Sequence, residues 1–153
     1  MRELGEIPRD LNGLFVHNGP NPRFTPMLGH SWFDGDGMLH AVQLENGRAT
    51  FRSRWIETAG LKEDLAAGCA TFVGSQAMPG KGKRHKNVAN TDVVYHAGRL
   101  LALWWEGDDP HELSLPDLRT KGTFNYGGTL AGGLTSHAKV DPKTGELLFI
   151  SWG

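Results

Sequence analysis

The chain has 153 residues, 21 of them glycine, and a formal net charge of −1. That length bounds it to one domain by default, with enough Trp, Phe, Leu and Val to bury a core. The near-neutral balance excludes disorder driven by charge and gives no global sign of a nucleic-acid partner.

The start, Met1-Arg2-Glu3-Leu4-Gly5-Glu6-Ile7-Pro8, has no apolar stretch of the kind a signal peptide needs. The longest apolar run, residues 100–105, is too short to span a bilayer. A single cysteine, Cys69, cannot form an internal disulfide. We therefore expect a soluble, cytoplasmic protein.

Three segments read as hairpins. In the first, residues 38–44 lead through Glu45-Asn46-Gly47 to residues 48–55. There Ala49, Phe51, Ser53 and Trp55 alternate with Arg48, Thr50, Arg52 and Arg54, the period of a half-buried strand. Asn46-Gly47 is a tight-turn signal. The second hairpin runs from Asp92 through Ala97-Gly98 to Trp105, and the third from His137 through residues 141–146 to Trp152. Turn glycines at 47, 98 and 145 recur about every fifty residues, and each returning strand ends in tryptophan: Trp55, Trp104 or Trp105, and Trp152. Such a period suggests a β-propeller or another β-repeat fold, with an irregular sandwich as the alternative.

Between the hairpins, residues 61–67 form the one good helix candidate, ended by Gly68. Residues 74–86 read as a solvated loop, and residues 122–133 as an irregular glycine-rich connector. About three blades cannot close a ring, since propellers need roughly four to eight.

Most chemical candidates fail on their own spacing. Asp34-Gly35-Asp36-Gly37 begins like a calcium loop, but Met38 and Leu39 occupy positions that need an oxygen ligand and a glycine. A turn entering a strand explains it better. The basic run from Lys81 to Lys86 lacks interleaved aromatics. Ser136 has no nucleophile elbow, Cys69 has no obvious histidine partner, and Asp108-Asp109 fit a turn. None of the seven histidines has local metal-site spacing, which leaves a metal assembled from distant strands open. His137 stands apart because it opens an expected strand after a flexible connector.

Several strings, in order, resemble one family. Gly5-Glu6-Ile7-Pro8-Arg9-Asp10-Leu11 and Gly13-Leu14-Phe15-Val16-His17-Asn18-Gly19-Pro20-Asn21-Pro22 resemble its opening motif. His30-Ser31-Trp32-Phe33-Asp34-Gly35-Asp36-Gly37-Met38-Leu39-His40 resembles the next. Asn87-Val88-Ala89-Asn90-Thr91, with Leu101-Ala102-Leu103-Trp104-Trp105-Glu106-Gly107, resembles the third, and Thr135-Ser136-His137-Ala138-Lys139-Val140-Asp141-Pro142 the fourth. The family is the carotenoid cleavage oxygenases, including stilbene-cleaving dioxygenases and the retinoid isomerohydrolase branch.

The resemblance implies an all-β fold: the N-terminal portion, about three blades, of a seven-bladed β-propeller, with one short helix. Residues 1–153 would be a partial propeller domain, truncated at the C-terminus and open to truncation at the N-terminus. It implies Fe(2+) on the axis, held by four histidines, with His137 matching the first. Glu106 matches the first of three glutamates that orient other ligand histidines, and its usual partner would lie beyond Gly153. Four neutral imidazoles leave the metal at +2 with room for O2 and substrate.

The implied activity of the parent protein is oxidative cleavage of a conjugated C=C bond in a carotenoid, apocarotenoid or stilbene, giving two carbonyl products. Its partners would be a small apolar conjugated substrate and O2, not nucleic acid. The family also admits peripheral membrane contact in the full-length protein, although no apolar patch is evident from sequence. One histidine of four cannot hold iron, so this chain alone is expected to be inactive. The alternatives are a truncated fragment without activity, or an interaction module acting through the Lys81–Lys86 loop. His17, Ser136, Ala138 and Asp108-Asp109 depart from common family residues, which leaves the subgroup open. The Trp-Trp-Glu-Gly run leans toward the bacterial carotenoid and stilbene cleavers.

Overall fold

The computed structural model describes residues 5–83 and 86–151. The described residues are mostly β with one short α-helix. Strands β1 (Gly13–Pro20), β2 (Gly37–Glu45) and β3 (Arg48–Trp55) form an antiparallel three-stranded sheet. Strands β4 (Asp92–His96), β5 (Arg99–Leu103), β6 (His111–Leu113) and β7 (Thr120–Thr123) form a four-stranded sheet. Strands β8 (Lys139–Val140) and β9 (Leu147–Leu148) pair as a short hairpin.

The expected turns are present. Asn46 and Gly47 take φ of 51° and 75°, and Ala97 and Gly98 take 47° and 78°, the paired positive values of a type I′ connection. Other expectations are corrected. The second sheet gains two strands, and β7 occupies the first part of the connector read as irregular. The third hairpin is shorter than expected, and Trp152 lies outside the described residues. Helix α1 spans Ala59–Ala67, two residues longer at its start, because Thr58 caps it: its Oγ1 accepts the Leu61 N–H at 3.1 Å.

Two cores explain why β5 reads as an unbroken apolar run. Leu100 and Ala102 pack with Leu39, Ala41, Ile56 and Leu113 toward the first sheet. Leu101 and Leu103 pack with Val94, Leu134 and Ala138 toward the third hairpin. Successive side chains on a strand point to opposite faces, so a strand covered on both faces loses its alternation.

The join between the first two sheets is a strap, residues 86–92, laid against the start of β2. The Gly37 N–H donates to Val88 O at 2.8 Å, and a Cβ on Gly37 would lie 2.6 Å from the carbonyl oxygens of Val88 and Ala89. Only glycine permits that approach. Asn90 donates through Nδ2 to Phe33 O and Gly35 O, both at 2.7 Å, and Asn18 donates to Ala89 O at 2.7 Å. These side chains pair carbonyls that would otherwise be buried unmet. Asp34 receives the backbone N–H groups of Ser31 (2.7 Å) and Ser75 (3.0 Å), and Asp36 receives that of Arg23 (3.0 Å). The Asp34–Gly37 segment is thus a clamp entering a strand, as its failed calcium spacing indicated.

Lys86 corrects the reading of residues 74–86 as solvated. Its side chain is 11% exposed. Nζ makes a hydrogen-bonded ion pair with Asp64 of α1 at 2.5 Å and a second contact with Asp36 at 2.6 Å, off the hydrogen-bond direction. Burial raises the Asp64 pKa, but hydrogen bonds from Lys86 and Thr71 outweigh it and leave the carboxyl below its ordinary value. Lys86→Met would strand two buried carboxylates, and we expect the chain to lose about 3–5 kcal/mol in urea unfolding. A change under about 1 kcal/mol would contradict the triad.

His111, on β6, is buried, and its Nδ1 has no hydrogen-bond partner among the described residues. Burial is the largest cause holding its pKa below the ordinary histidine value; Asp108 and Asp109 oppose that and Lys62 reinforces it. The folded state therefore favours the neutral ring. The stability it carries is complete above the unfolded pKa of about 6.5 and drains as pH falls toward the lower folded value. Thermal unfolding should show Tm falling between about pH 6.5 and 5 in the wild-type chain, with a smaller fall in His111→Gln. Equal falls would contradict the assignment.

Candidate metal-ligand and orienting residues

Glu106 sits in a tight turn just beyond β5, where the Gly107 N–H donates to Trp104 O at 3.2 Å. Trp104 bridges Thr135 in parallel, and Asp108 bridges Leu134, with Leu134 N–H donating to Asp108 O at 3.0 Å. The segment leading to His137 therefore lies along the segment that carries Glu106. On its other side Thr135 Oγ1 donates to Ile150 O at 2.5 Å.

The strap holds the Glu106 segment by hydrogen bonds and faces His137. Thr91 Oγ1 accepts the Trp105 N–H at 3.1 Å, and the Thr91 N–H donates to Leu103 O at 3.0 Å. The next residue, Asp92, places Oδ2 3.9 Å from His137 Nδ1. That separation is a charge–dipole contact rather than a hydrogen bond. Asp92 is itself fixed, since its Oδ1 accepts the Val93 N–H at 2.8 Å and its carbonyl accepts from Asn18 at 3.2 Å.

His137 precedes the strand it was expected to open: β8 starts at Lys139. His137 has φ of +68°, a left-handed conformation that costs a β-carbon-bearing residue on the order of 1 kcal/mol or more. Its side chain is 76% exposed, and Glu106 is exposed as well. Apart from the Asp92 contact, the ring has no partner among the described residues.

The other described histidines do not join it. His96 lies 3.0 Å from Tyr126 Oη and 3.1 Å from Gly145 O, His40 stacks on Phe51, and His111 is buried in the second sheet. Among the described residues no group of three or more His, Cys, Asp or Glu could hold a metal. His137 thus fits a metal as one corner of a donor set and not as a site by itself. Three or four such donors are the usual minimum.

Beside Glu106 lie two features that sequence reasoning missed. Trp32, Phe33 and Trp105 form a chain of rings with centroids 4.0 and 6.2 Å apart, all substantially exposed. A hollow of about 260 Å³ brings Glu106 and Trp104 together with Phe24, Phe72, His30 and Lys86. The adjacency of Trp32-Phe33 to the clamp was legible in sequence; its contact with Trp105, some seventy residues away, was not.

The chain folds as antiparallel sheets with His137 exposed at the junction between them, and comparisons with known proteins say what it is similar to. Residues 1–153 match the family described as retinal pigment epithelial membrane protein. The chain is 41% identical to a carotenoid 9,10(9′,10′)-cleavage dioxygenase 1 of Arabidopsis thaliana, over 94% of this chain and 30% of that protein. The crystal structure of a lignostilbene dioxygenase from Pseudomonas brassicacearum superposes with a TM-score of 0.82 at 32% identity, covering 97% of this chain and 32% of that one. A cobalt-substituted apocarotenoid oxygenase of Synechocystis superposes with a TM-score of 0.75 at 38% identity, covering 91% and 31%. The chain belongs to the carotenoid cleavage oxygenase family, and it spans about a third of the length of these relatives.

A Cβ on Gly133, which has φ of +75°, would lie 2.7 Å from Asp108 N. Gly133→Ala should therefore push the 134–137 segment off the Glu106 turn and cost about 1–3 kcal/mol. Chemical-shift changes at Asp108, Leu134 and His137 would report it. Shifts confined to residues 131–133 would contradict this coupling.

Proposed function

We propose that the parent protein is an Fe(II)-dependent dioxygenase built on a seven-bladed β-propeller. It would cleave a conjugated C=C bond of a carotenoid, apocarotenoid or stilbene to two carbonyl products, with O2 as co-substrate. Residues 1–153 are read as one partial domain supplying about three of the blades, in keeping with three stacked sheets. The observation that carries the reading is the pairing of the Glu106 and His137 segments, the first hydrogen-bonded to the strap at Thr91 and the second facing Asp92.

In this reading His137 would be one of the histidines that hold the metal. The Asp92 carboxylate lies on the Nδ1 side, so it favours the tautomer with the proton there and leaves the Nε2 lone pair available. Glu106 would accept the far N–H of another ligand's imidazole, one that this chain does not supply. Bound iron supplies activation of O2. The protein's own part is to orient those ligands and to seat the substrate. The Trp32–Phe33–Trp105 rings offer flat apolar area that suits a conjugated polyene or diaryl alkene.

With one histidine of the set, the chain by itself would be inactive. Within the Lys81–Lys86 loop, Lys83 pairs with Glu63 and Lys86 with two carboxylates, which weakens the alternative of an interaction module acting through that loop. The free exposed Cys69 suits a reducing, cytoplasmic setting. Met27, Leu28 and Met78 stand exposed on segments joined where the Gly74 N–H donates to Leu28 O, and they support peripheral membrane contact of the full-length protein. Among the described residues no helix is long and apolar enough to cross a membrane.

The full-length protein should cleave an apocarotenal or a hydroxystilbene only in the presence of O2. His137→Ala should lower kcat/KM at least about 100-fold and reduce bound iron, and Glu106→Gln should lower it about 10–100-fold. Full activity in His137→Ala would remove the ligand assignment.

A further inference from the structure

We propose a second site, at the far end of the first sheet, that binds a phosphate-class anion through Arg9, Arg48 and Arg52. The three arginines line one hollow at the β2–β3 hairpin, together with Gln43 and Thr50. Glu45 is the single carboxylate there, so the hollow carries a surplus of two positive charges (three Arg less one Glu).

The register shows how the sequence assembles it. Gln43 pairs with Thr50, Glu45 with Arg48 and Ala41 with Arg52, so Arg48, Thr50 and Arg52 share one face with Gln43. Arginine along an edge strand is a common guard against edge-to-edge pairing. That role does not account for Arg9, which arrives from the segment before β1. Its stem lies over the turn, close enough that a Cβ on Gly47 would sit 3.3 Å from Arg9 Cγ. The same segment is tied down by the Asn46 N–H, which donates to Asn12 Oδ1 at 3.0 Å.

The guanidinium groups are also unspent. Arg52 donates one bond, from Nη1 to Gln43 Oε1 at 2.8 Å, which orients its fork and leaves its other donors open. Those of Arg9 and Arg48 have no hydrogen-bond or ion-pair partner among the described residues. By contrast Arg54, on the same strand, is committed to Asp117 O at 3.1 Å.

Three like charges gathered from two segments repel one another unless an anion sits among them. A phosphate offers several acceptor oxygens to planar forks that bond in pairs, a better match than one carboxylate. The hollow is separate from Glu106 and His137. Met38↔Trp55 opens the β2–β3 ladder near the clamp and Glu45↔Arg48 closes it, about 20 Å away at the rise of a strand.

The test titrates the full-length protein with inorganic phosphate, and separately with phosphatidylcholine vesicles carrying phosphatidylinositol phosphate, following arginine Nε–H signals by NMR. We expect saturable binding that weakens with salt, shifts at Arg9, Arg48 and Arg52, and at least about tenfold weaker binding in Arg48→Gln and in the loop variant Arg9→Gln, with Lys81→Gln unchanged. Binding of free phosphate places the source in solution; binding of the vesicles alone, lost in the same variants, places it in a lipid headgroup. Non-saturable binding, or binding indifferent to the arginine variants, overturns the site.

Discussion

The structure depends on one close approach. Residues 86–92 lie against the first residue of β2 because Gly37 has no Cβ to keep their carbonyls away. Around that contact several side chains meet the backbone groups that the approach buries. Asn18 and Asn90 donate to backbone carbonyls, and Lys86 brings its charge between Asp36 and Asp64. The strap then delivers β4 to the second sheet, and with it Thr91, which bonds the residue before Glu106, and Asp92, which faces His137.

A buried charge triad of this kind is weak evidence of net stability, since taking three charges out of water offsets much of their attraction. Its consequence here is geometric. Lys86 reaches α1, the clamp and the strap at once, so these three segments share one relative placement. Catalytic groups act only when held to within a fraction of an ångström. Glu106 and His137 are on exposed turns, and the segments that carry them are held by Thr91 and the Trp104–Thr135 bridge. The left-handed backbone of His137 is the visible cost of turning an imidazole outward at that point.

What was legible in the sequence was local. Asn46-Gly47 and Ala97-Gly98 announced their turns through backbone preferences and Gly68 announced a helix end; alternation announced β3 as a strand, but Phe51 on its expected inner face is exposed and Arg52 is half-buried. The long apolar reading of β5 was correct but mute about its cause, which is a core on each face. Strands β6 and β7 are three and four residues long, too short for a periodic signal. The burial of Lys86 was hidden because its partners lie 22 and 50 residues earlier (86 less 64 and 86 less 36). His137 and Glu106 came from motif resemblance, not from spacing, since an iron site made by distant strands has no local period. The contact of Phe33 with Trp105 and the convergence of Arg9 on the β2–β3 turn were likewise nonlocal.

The central claim is that His137 is one histidine of an iron site that the full-length protein completes. Anomalous diffraction at the iron edge from crystals of the full-length, iron-loaded protein addresses it directly. The account predicts an iron peak within bonding distance of His137 Nε2, with the Glu106 carboxylate hydrogen-bonded to the imidazole of a second ligand. Iron bound elsewhere with His137 uncoordinated would contradict it.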